Sequence, residues 1–229
     1  MPRAEPESTF LFADLAGFTA LTEAHGDELA AEMASQFCDL IRAQLGPHDA
    51  DEIKTIGDAM MVRSREAAAG VDLGVRVLED VGAADGFPAV RVGMNTGRAI
   101  ERGGDWFGAA VNIAARVSGA AGGGEVLLTE ATRAAAGEME GIELRRHGEL
   151  RLKNMKELVL VYEAVRAGAE AGSVAIDPVC RMAISENHAA GRLTYEGREY
   201  RFCSLTCAAK FASDPEHYDT RVEGLGRLG

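Results

Sequence analysis

The order of apolar patterns over residues 8–97 constrains the fold of this 229-residue chain more than any other feature. Short strand-like runs alternate with longer stretches in which apolar residues recur at helical spacing. In chain order the segments are a strand over residues 8–13, a helix over 20–45, a hairpin over 53–62, a helix over 66–82 and a strand over 90–94. The order β-α-β-β-α-β predicts an α+β fold with a ferredoxin-like core, in which two helices cover one face of an antiparallel sheet.

Beyond this core the sequence predicts an extension and then a second, smaller domain. The extension consists of a loop over residues 98–104, a helix near 108–121, a strand at 125–128, a short helix and three strand-like runs that end near Val165. Residues 167–173 are small and polar with no apolar anchor, which is typical of a linker. We therefore expect a first domain over residues 1–166, a linker over 167–173, a small α+β domain over 174–220 and a tail over 221–229.

Composition excludes several classes of partner. The net charge is −12 and no part of the chain is strongly basic, so general affinity for nucleic acid or for an anionic membrane surface is not expected. No apolar run approaches the roughly 18–20 residues that cross a bilayer, and the acidic, proline-containing start is unlike a secretory signal. We expect a cytoplasmic protein that has neither a nucleic-acid partner nor a membrane partner.

Two aspartates, Asp14 and Asp58, follow apolar strands at points where a neighbouring glycine, Gly17 or Gly57, permits a sharp turn. Two carboxylates presented in this way suit a pair of hard divalent cations bound to a triphosphate. The structural alternative is that Asp14 caps the following helix and Asp58 fills a hairpin turn.

A second pair of polar residues, Asn112 and Arg116, lies on the helix predicted near 108–121. Because the two are four positions apart, their side chains project from the same helix face. The planar, permanently charged guanidinium of Arg116 suits a phosphoryl group. An ordinary solvated helix face is the alternative for this pair.

Residues 8–165 resemble the catalytic domain of the class III nucleotidyl cyclases, the adenylate and guanylate cyclases. The resemblance rests on ordered motifs at the family's spacing, which are Phe12–Thr19, Lys54–Ala59, Gly93–Gly97, Val111–Arg116 and Leu152–Lys156. It implies that Asp14 and Asp58 hold two Mg²⁺ or Mn²⁺ ions. It also implies that Arg116 stabilises the charge developing on the α-phosphoryl group, while Asn112 orients the ribose.

The resemblance assigns the triphosphate contacts less completely. Lys153 matches the family's phosphate-binding lysine, although Asn154 stands where the family often has glycine. The family has a further arginine on the triphosphate, shortly before Asp105. Both Arg98 and Arg102 remain candidates for that position.

Lys54 and Asp105 occupy the two positions at which the family recognises the base. Adenine offers an acceptor at N1 and a donor at its 6-amino group, which suit a lysine that only donates and a carboxylate that only accepts. We therefore expect ATP as the substrate. In this family the metal-binding aspartates come from one protomer and the base-recognising, asparagine and arginine residues from the other, so the resemblance implies a homodimer.

Three of the four cysteines, Cys180, Cys203 and Cys207, lie near the C-terminus, whereas Cys38 stands alone. Clustered cysteines in a reducing compartment suggest a metal more than a disulfide. Cys203 and Cys207 are four positions apart at a predicted helix start, where thiolates are favoured. With Cys180 they would form a soft-metal site for Zn²⁺ or Cu⁺.

Residues 174–220 are similar to YHS domains, which occur in heavy-metal transport and handling proteins. The chain departs from the family's usual Cys-Gly-Met by having Arg181 after Cys180. The fourth ligand stays open among His188, His217 and a water molecule. The alternative is that the cysteines are partly buried small apolar residues in a domain that binds no metal.

The leading hypothesis is an adenylate cyclase that converts ATP to 3′,5′-cyclic AMP and pyrophosphate by two-metal catalysis at a homodimer interface and is modulated by a C-terminal metal-binding module. Three alternatives stay open. They are a catalytically silent cyclase-like module coupled to metal sensing, a metal-handling protein with a cyclase-like dimerisation scaffold, and a guanylate cyclase.

Overall fold

A computed structural model of the chain describes residues 7–84, 87–168, 175–184 and 189–218. Contacts divide these residues into two compact units. The sheet unit comprises residues 7–16, 34–81 and 90–168, and the cysteine unit comprises residues 17–33, 82–84, 87–89, 175–184 and 189–218. Of the predicted linker, residues 169–173 lie outside the described part of the chain, as does the predicted tail.

The elements follow the predicted alternation closely. The strands are β1 Ser8–Leu15, β2 Ala50–Ile56, β3 Ala59–Ser64, β4 Val90–Gly97, β5 Ile100–Arg102, β6 Asp105–Phe107, β7 Val126–Thr129, β8 Ile142–Leu150, β9 Val159–Arg166, β10 Ala175–Ile176, β11 Ala183–Ile184, β12 Gly191–Tyr195 and β13 Arg198–Phe202. The helices are α1 Phe18–His25, α2 Asp27–Leu45, α3 Ala67–Ala83, α4 Ala109–Ala120, α5 Glu130–Ala136, α6 Leu205–Ser213 and α7 Pro215–Tyr218, and a 3₁₀ turn covers Gly46–His48.

The sheet unit contains a seven-stranded mixed sheet in the order β2-β3-β1-β4-β7-β9-β8. Strand β1 lies between β3 and β4 and is antiparallel to both, which confirms the predicted ferredoxin-like core. Strand β7 adds in parallel to β4, and β9 and β8 follow antiparallel. Because β1 is central, apolar residues such as Phe10 and Leu11 are buried on both of its faces.

Helix α4 lies directly on β4 because position 93 has no side chain. A Cβ atom at Gly93 would lie 1.9 Å from the backbone nitrogen of Ser118, so only glycine permits this close approach. Asn95 fixes the start of the helix, since its amide donates a hydrogen bond to the carbonyl of Ala110 at 3.2 Å. Its carbonyl oxygen accepts a hydrogen bond from the Thr129 hydroxyl at 2.7 Å. Helix α4 is therefore held rigidly against the sheet.

Three predictions about elements were wrong in detail. The predicted helix over residues 20–45 is two helices, because Gly26 has φ of 91° and ψ of 166°, a backbone conformation that glycine alone adopts readily. The predicted loop over 98–104 contains β5 and leads into β6, a hairpin with strands too short to produce a periodic pattern. The final strand-like runs form two strands, β8 and β9, rather than three.

The cysteine unit combines helix α1 with elements close to the C-terminus. The hairpin β12–β13 packs against α6, and β10 pairs with β11. Its core contains fully or nearly fully buried side chains from both parts of the chain, which are Leu21, Ala30, Val179, Cys180, Met182, Tyr200, Phe202, Cys207 and Phe211. Among the described residues, no helix is long and apolar enough to cross a lipid bilayer.

Candidate active site and cysteine cluster

The structure brings Asp14 and Asp58 together at one end of the central strands. Asp14 is the penultimate residue of β1 and lies opposite Ala59 of β3, the residue that follows Asp58. Asp58 occupies the β2–β3 turn, which Gly57 makes possible with φ of 63°. Burial, and then the hydrogen bond and negative charge of Asp14, raise the pKa of Asp58 to about 6.

Arg91 is a third member of this group that the sequence did not single out. It lies opposite Asp14 in the β1–β4 register, and its Nε donates to Asp14 Oδ2 at 2.8 Å while an Nη donates to the same oxygen. Only the strand register could have identified it. Asp14 and Asp58 form an oxygen-only donor set whose negative charges are close together. This set fits a hard divalent cation such as Mg²⁺ or Mn²⁺.

Lys54 and Asp105 also meet in the structure. Lys54 Nζ donates to Asp105 Oδ2 at 2.6 Å, and the backbone N–H of Trp106 donates to Asp105 Oδ1 at 2.8 Å. These contacts, with the lysine bond first, hold the pKa of Asp105 below its usual range. Both side chains remain partly exposed, and Lys54 Nζ lies 5.9 Å from the centre of the Phe107 ring. A donor and an acceptor therefore stand side by side, open to a planar ligand.

Asn112 and Arg116 lie on one face of α4, opposite the buried residues Val111 and Ala114. Asn112 is exposed and Arg116 is half-exposed. Neither side chain makes a hydrogen bond or ion pair with any residue that the structure describes. Their polar groups are therefore available to a ligand.

Lys153 is exposed in the turn between β8 and β9. Asn154, which stands where the related family often has glycine, has φ of 61°. Asparagine tolerates this left-handed conformation better than most residues other than glycine, so the substitution preserves the turn.

The two candidate arginines before Asp105 remain open. Arg98 is largely exposed, and its Nε lies 3.9 Å from Glu7 Oε1. Arg102 is also exposed and pairs with Asp105 across the β5–β6 hairpin. These contacts do not decide between the two.

The three C-terminal cysteines are brought together as free thiols. Cys180 Sγ lies 3.4 Å from Cys203 Sγ, which in turn lies 3.7 Å from Cys207 Sγ. Hydrogen bonds with the other two thiols lower the pKa of Cys207 to about 2, whereas the same contacts and burial raise the pKa of Cys180. Negative charge within the cluster is thus favoured on Cys207, whereas the raised pKa values of Cys180 and Cys203 favour their protonated forms.

The backbone at the cluster is held by two side chains that the sequence analysis did not assign. The fully buried carboxylate of Asp177 accepts hydrogen bonds from the N–H groups of Val179 at 2.8 Å, Cys180 at 3.4 Å and Cys203 at 2.8 Å. Ser204 caps α6 and accepts a hydrogen bond from Cys207 N–H at 3.2 Å. Asp177 directly precedes the Pro178-Val179-Cys180 segment, so proximity in sequence was the only signal for it.

A nitrogen from elsewhere in the chain completes the cluster. His25, together with Cys180, Cys203 and Cys207, offers four ligand atoms that all lie within 4.8 Å of one another. Of the histidines considered from the sequence, His188 lies outside the described residues. His217 is exposed on α7 and packs edge-on against Tyr218. His217 does not join the cluster.

Arg181 has φ of 66°, a conformation that explains why related domains place glycine there. Its side chain extends over Gly17. A Cβ atom at Gly17 would lie 2.4 Å from Arg181 Cγ and 2.7 Å from its Cβ. Arg181 is therefore accommodated because Gly17 leaves the space for its aliphatic stem.

Comparison with protein families identifies two modules in this order. The model of the adenylate and guanylate cyclase catalytic domain matches residues 2–163, and the YHS domain model matches residues 175–222. The first match covers more than half of the chain and contains every oxygen- and nitrogen-bearing site residue of the sheet unit described above.

Individual relatives agree with the first match. A pH-sensitive adenylate cyclase of Mycobacterium tuberculosis is 36% identical over 168 residues, a region that covers 72% of this chain and 42% of the relative. An adenylate cyclase of Streptomyces griseus is 33% identical over 138 residues, or 60% of this chain and 33% of the relative. The chain thus spans less than half the length of these curated relatives.

Solved structures show the same fold. A Trypanosoma brucei adenylate cyclase in its monomeric state superposes with a TM-score of 0.65 at 22% identity, covering 74% of this chain and 91% of that structure. The adenylyl cyclase CyaB of P. aeruginosa superposes with a TM-score of 0.62 at 22% identity, covering 72% of this chain and 97% of that structure.

Proposed function

Because the chain belongs to the family of adenylate and guanylate cyclase catalytic domains, we propose that it is an adenylate cyclase that converts ATP to 3′,5′-cyclic AMP and pyrophosphate. The observation that carries this proposal is the meeting of Asp14 and Asp58 at one end of the sheet. A carboxylate pair of this kind suits divalent cations on a triphosphate. The names of the curated relatives agree with this activity.

In the proposed reaction the ribose 3′-oxygen attacks the α-phosphorus, and the bond from that phosphorus to the oxygen bridging to the β-phosphate breaks. The 3′-hydroxyl gives its proton to solvent water, and pyrophosphate leaves with the electrons of the broken bond. Asp14 and Asp58 would hold Mg²⁺ or Mn²⁺, which supplies acidification of the 3′-hydroxyl and neutralisation of the leaving group. Arg116 stabilises charge on the α-phosphoryl group, Asn112 orients the ribose and Lys153 binds phosphate oxygens.

ATP is proposed rather than GTP because of the Lys54–Asp105 pair. Asp105 is ionised, so it only accepts hydrogen bonds, and Lys54 only donates them. Adenine matches this pattern through its 6-amino group and N1, whereas guanine presents the opposite pattern. A guanine base would leave partly buried polar groups unpaired at a cost of about 1–3 kcal/mol for each group.

We propose further that the active site forms between two copies of the chain. Asn112 and Arg116 have no partner among the described residues, so their groups are free to meet a nucleotide held by the aspartates of a second copy. Apolar side chains near the Lys54–Asp105 pair support such an interface. Ile56 at the end of β2 is 53% exposed, and the cross-strand partners Ile100 and Phe107 are 66% and 52% exposed.

Complementation tests the reaction and the shared site together. Asp14→Ala and Asn112→Ala proteins are expected to be inactive alone with ATP and Mn²⁺. After unfolding and refolding as a mixture they should recover about a quarter of the wild-type rate, because half of the randomly formed dimers are heterodimers with one of two sites intact. Product identification by chromatography establishes cyclic AMP, with GTP as the competing substrate. Heterodimers that form but stay inactive would refute the shared site, whereas an inactive wild-type protein would refute the cyclase itself.

For the cysteine unit we propose binding of a soft metal such as Zn²⁺ or Cu⁺ by Cys180, Cys203 and Cys207, with modulation of the cyclase as its role. The close approach of three thiols around a helix start supports this chemistry. The YHS match supports it independently of that geometry.

A further inference from the structure

The cysteine cluster has a nitrogen neighbour that lies 155 positions before Cys180 in the chain. We propose that His25 is the fourth ligand of a four-coordinate Zn²⁺-type site whose other ligands are Cys180, Cys203 and Cys207. His25 is the last residue of α1, and its Nε2 lies 3.7 Å from the Sγ atoms of both Cys203 and Cys207. This inference rests on the proposed metal binding by three thiols and is independent of the cyclase reaction.

Four of the six distances within the cluster are close to the edges of a metal-centred tetrahedron. Zn–S bonds of about 2.3 Å and Zn–N bonds of about 2.0–2.1 Å give S···S edges of about 3.8 Å and S···N edges of about 3.6 Å. Two of the three S···S separations are 3.4 and 3.7 Å, and two of the three S···N separations are both 3.7 Å. All four ligand atoms lie within 4.8 Å of one another. A disulfide needs sulfur atoms about 2.05 Å apart, so none of the cysteines is paired in this way.

Packing presents His25 to the cluster. Leu21, one turn before His25 on α1, is fully buried in the same apolar core as Phe202 and Phe211. Lys210 of α6 closes the end of the helix, since its Nζ donates hydrogen bonds to the carbonyl oxygens of Glu23 and Ala24 at 3.3 Å each. The ammonium group of Lys210 also interacts favourably with the negative end of the α1 helix dipole. The last turn of α1, which ends at His25, is thus held by the burial of Leu21 and by the hydrogen bonds from Lys210.

The backbone that carries the three thiols is also held in place by side-chain hydrogen bonds. Asp177 fixes the backbone at Cys180 and Cys203, and Ser204 fixes it at Cys207. Outer contacts of this kind orient metal ligands and raise affinity. With His25 the cluster offers three sulfur atoms and one nitrogen, a tetrahedral donor set that favours Zn²⁺ over hard cations such as Mg²⁺.

If His25 binds the metal at the C-terminus of α1, the metal is linked through this helix to its N-terminus, which lies close to Asp14 in sequence. Helix α1 begins at Phe18, four positions after Asp14, and the Arg181 stem packs on the intervening Gly17. A metal bound by His25 would therefore restrain the segment of chain that directly follows an active-site aspartate. A site made only of cysteines would place no metal–ligand bond on α1.

Cobalt substitution tests the proposal without any use of cyclase activity. The full chain is titrated with Co²⁺ in excess Mg²⁺, and tetrahedral binding is followed by visible d–d absorption and by the thiolate-to-cobalt charge-transfer band. Zn²⁺ affinity is then measured by displacement of Co²⁺. The variants are His25→Ala, His25→Cys, Cys203→Ser and, as the matched control on the exposed α7 histidine, His217→Ala.

We expect the wild type and His217→Ala to bind one Co²⁺ with the same spectrum. His25→Ala should bind at least about 10–100-fold more weakly, since loss of an outer contact alone has effects of that size. His25→Cys should restore tight binding with a stronger charge-transfer band from its fourth thiolate. That rescue distinguishes a ligand from a residue needed for folding.

Two results would overturn the inference in separable ways. Unchanged Co²⁺ affinity and spectrum in His25→Ala, with binding lost in Cys203→Ser, would remove His25 from the site and leave the three-thiol proposal intact. Absence of Co²⁺ and Zn²⁺ binding by the folded wild type would remove both. Neither result bears on the conversion of ATP.

Discussion

The oxygen pair Asp14–Asp58 and the cysteine cluster are assembled in different ways. The two carboxylates come from neighbouring strands of one sheet, where antiparallel pairing places the ends of β1 and the β2–β3 turn side by side. The cysteine cluster draws on the turn between β10 and β11, the bend after β13, helix α6 and a helix, α1, that is far away in sequence. The pair remains half-buried with Arg91 beside it, whereas Cys180 and Cys207 are fully buried. The carboxylates on paired strands and the three thiols are thus visible in the sequence, whereas the histidine that helix packing brings to the thiols is not.

The largest expected effect is a loss of cyclase activity when the oxygen pair is disrupted, with no change in metal binding at the cysteine cluster. Asp58→Ala should lower cyclase activity by at least about 10²–10³-fold, because it removes charge that would hold the cation on the triphosphate. Its Co²⁺ spectrum at the cysteine cluster should not change. Asp39→Ala, which alters an exposed ion pair with Arg42, is the control. Loss of both properties in Asp58→Ala would show that the sites are not independent.

The second-largest effect should be a change in the preference for ATP over GTP when Asp105 is substituted. Asp105→Asn replaces an acceptor with a group that can also donate, so the preference for ATP over GTP should narrow by about 5–150-fold, the equivalent of 1–3 kcal/mol. Initial rates with each nucleotide give the ratio. Glu101→Gln, on the same hairpin but exposed, should keep the wild-type preference. An unchanged ratio in Asp105→Asn would remove this carboxylate from base recognition.

Asp177 tests how much the cysteine cluster depends on its backbone contacts. In Asp177→Asn only one side-chain oxygen can accept, so an amide N–H would face a backbone N–H at Val179 or at Cys203. Co²⁺ affinity should fall by about 10–100-fold. The exposed acid Asp214 provides the control Asp214→Asn. Equal affinities in the two variants would mean that the thiols need no such support.

Protons should compete with Mg²⁺ for the oxygen pair, because Asp58 must be ionised to bind a cation. The pKa of Asp58 is raised to about 6 by burial and by Asp14, and only the ionised form binds a cation. Below pH 6 the Mg²⁺ concentration needed for half-maximal activity should therefore rise by about tenfold for each pH unit, while above pH 7 it should be constant. Rates measured across Mg²⁺ titrations at several pH values give this dependence. A requirement that stays flat through pH 6 would contradict the raised pKa.

The smallest expected effect is the coupling between the two sites. Loading the cysteine cluster with Zn²⁺ should change the cyclase rate by about fivefold, at the lower end of common coupling energies. Rates are measured over a buffered Zn²⁺ titration with saturating Mg²⁺. Cys203→Ser, normalised to its own metal-free rate, should not respond. Identical titration curves for the two proteins would reject modulation.

Much of the fold could be predicted because its signals are local. The β-α-β-β-α-β order follows from apolar periodicity, and the confirmed ferredoxin-like core follows from the packing rules for that order. The break at Gly26 could not be predicted, because the apolar spacing of α1 and α2 continues across it. The β5–β6 hairpin was missed since three-residue strands leave no periodic trace.

By itself, the sequence determined which chemical groups are present: two carboxylates at strand ends, a lysine and an aspartate that can donate to and accept from a planar ligand, an asparagine and an arginine on one helix face, and three thiols in a small domain. Tertiary structure alone decided which groups meet. Strand register placed Arg91 on Asp14, and burial of Leu21 placed His25 among the thiols. The physical reason is that residue type and spacing report local geometry, whereas contacts over 77 or 178 positions depend on how whole elements pack.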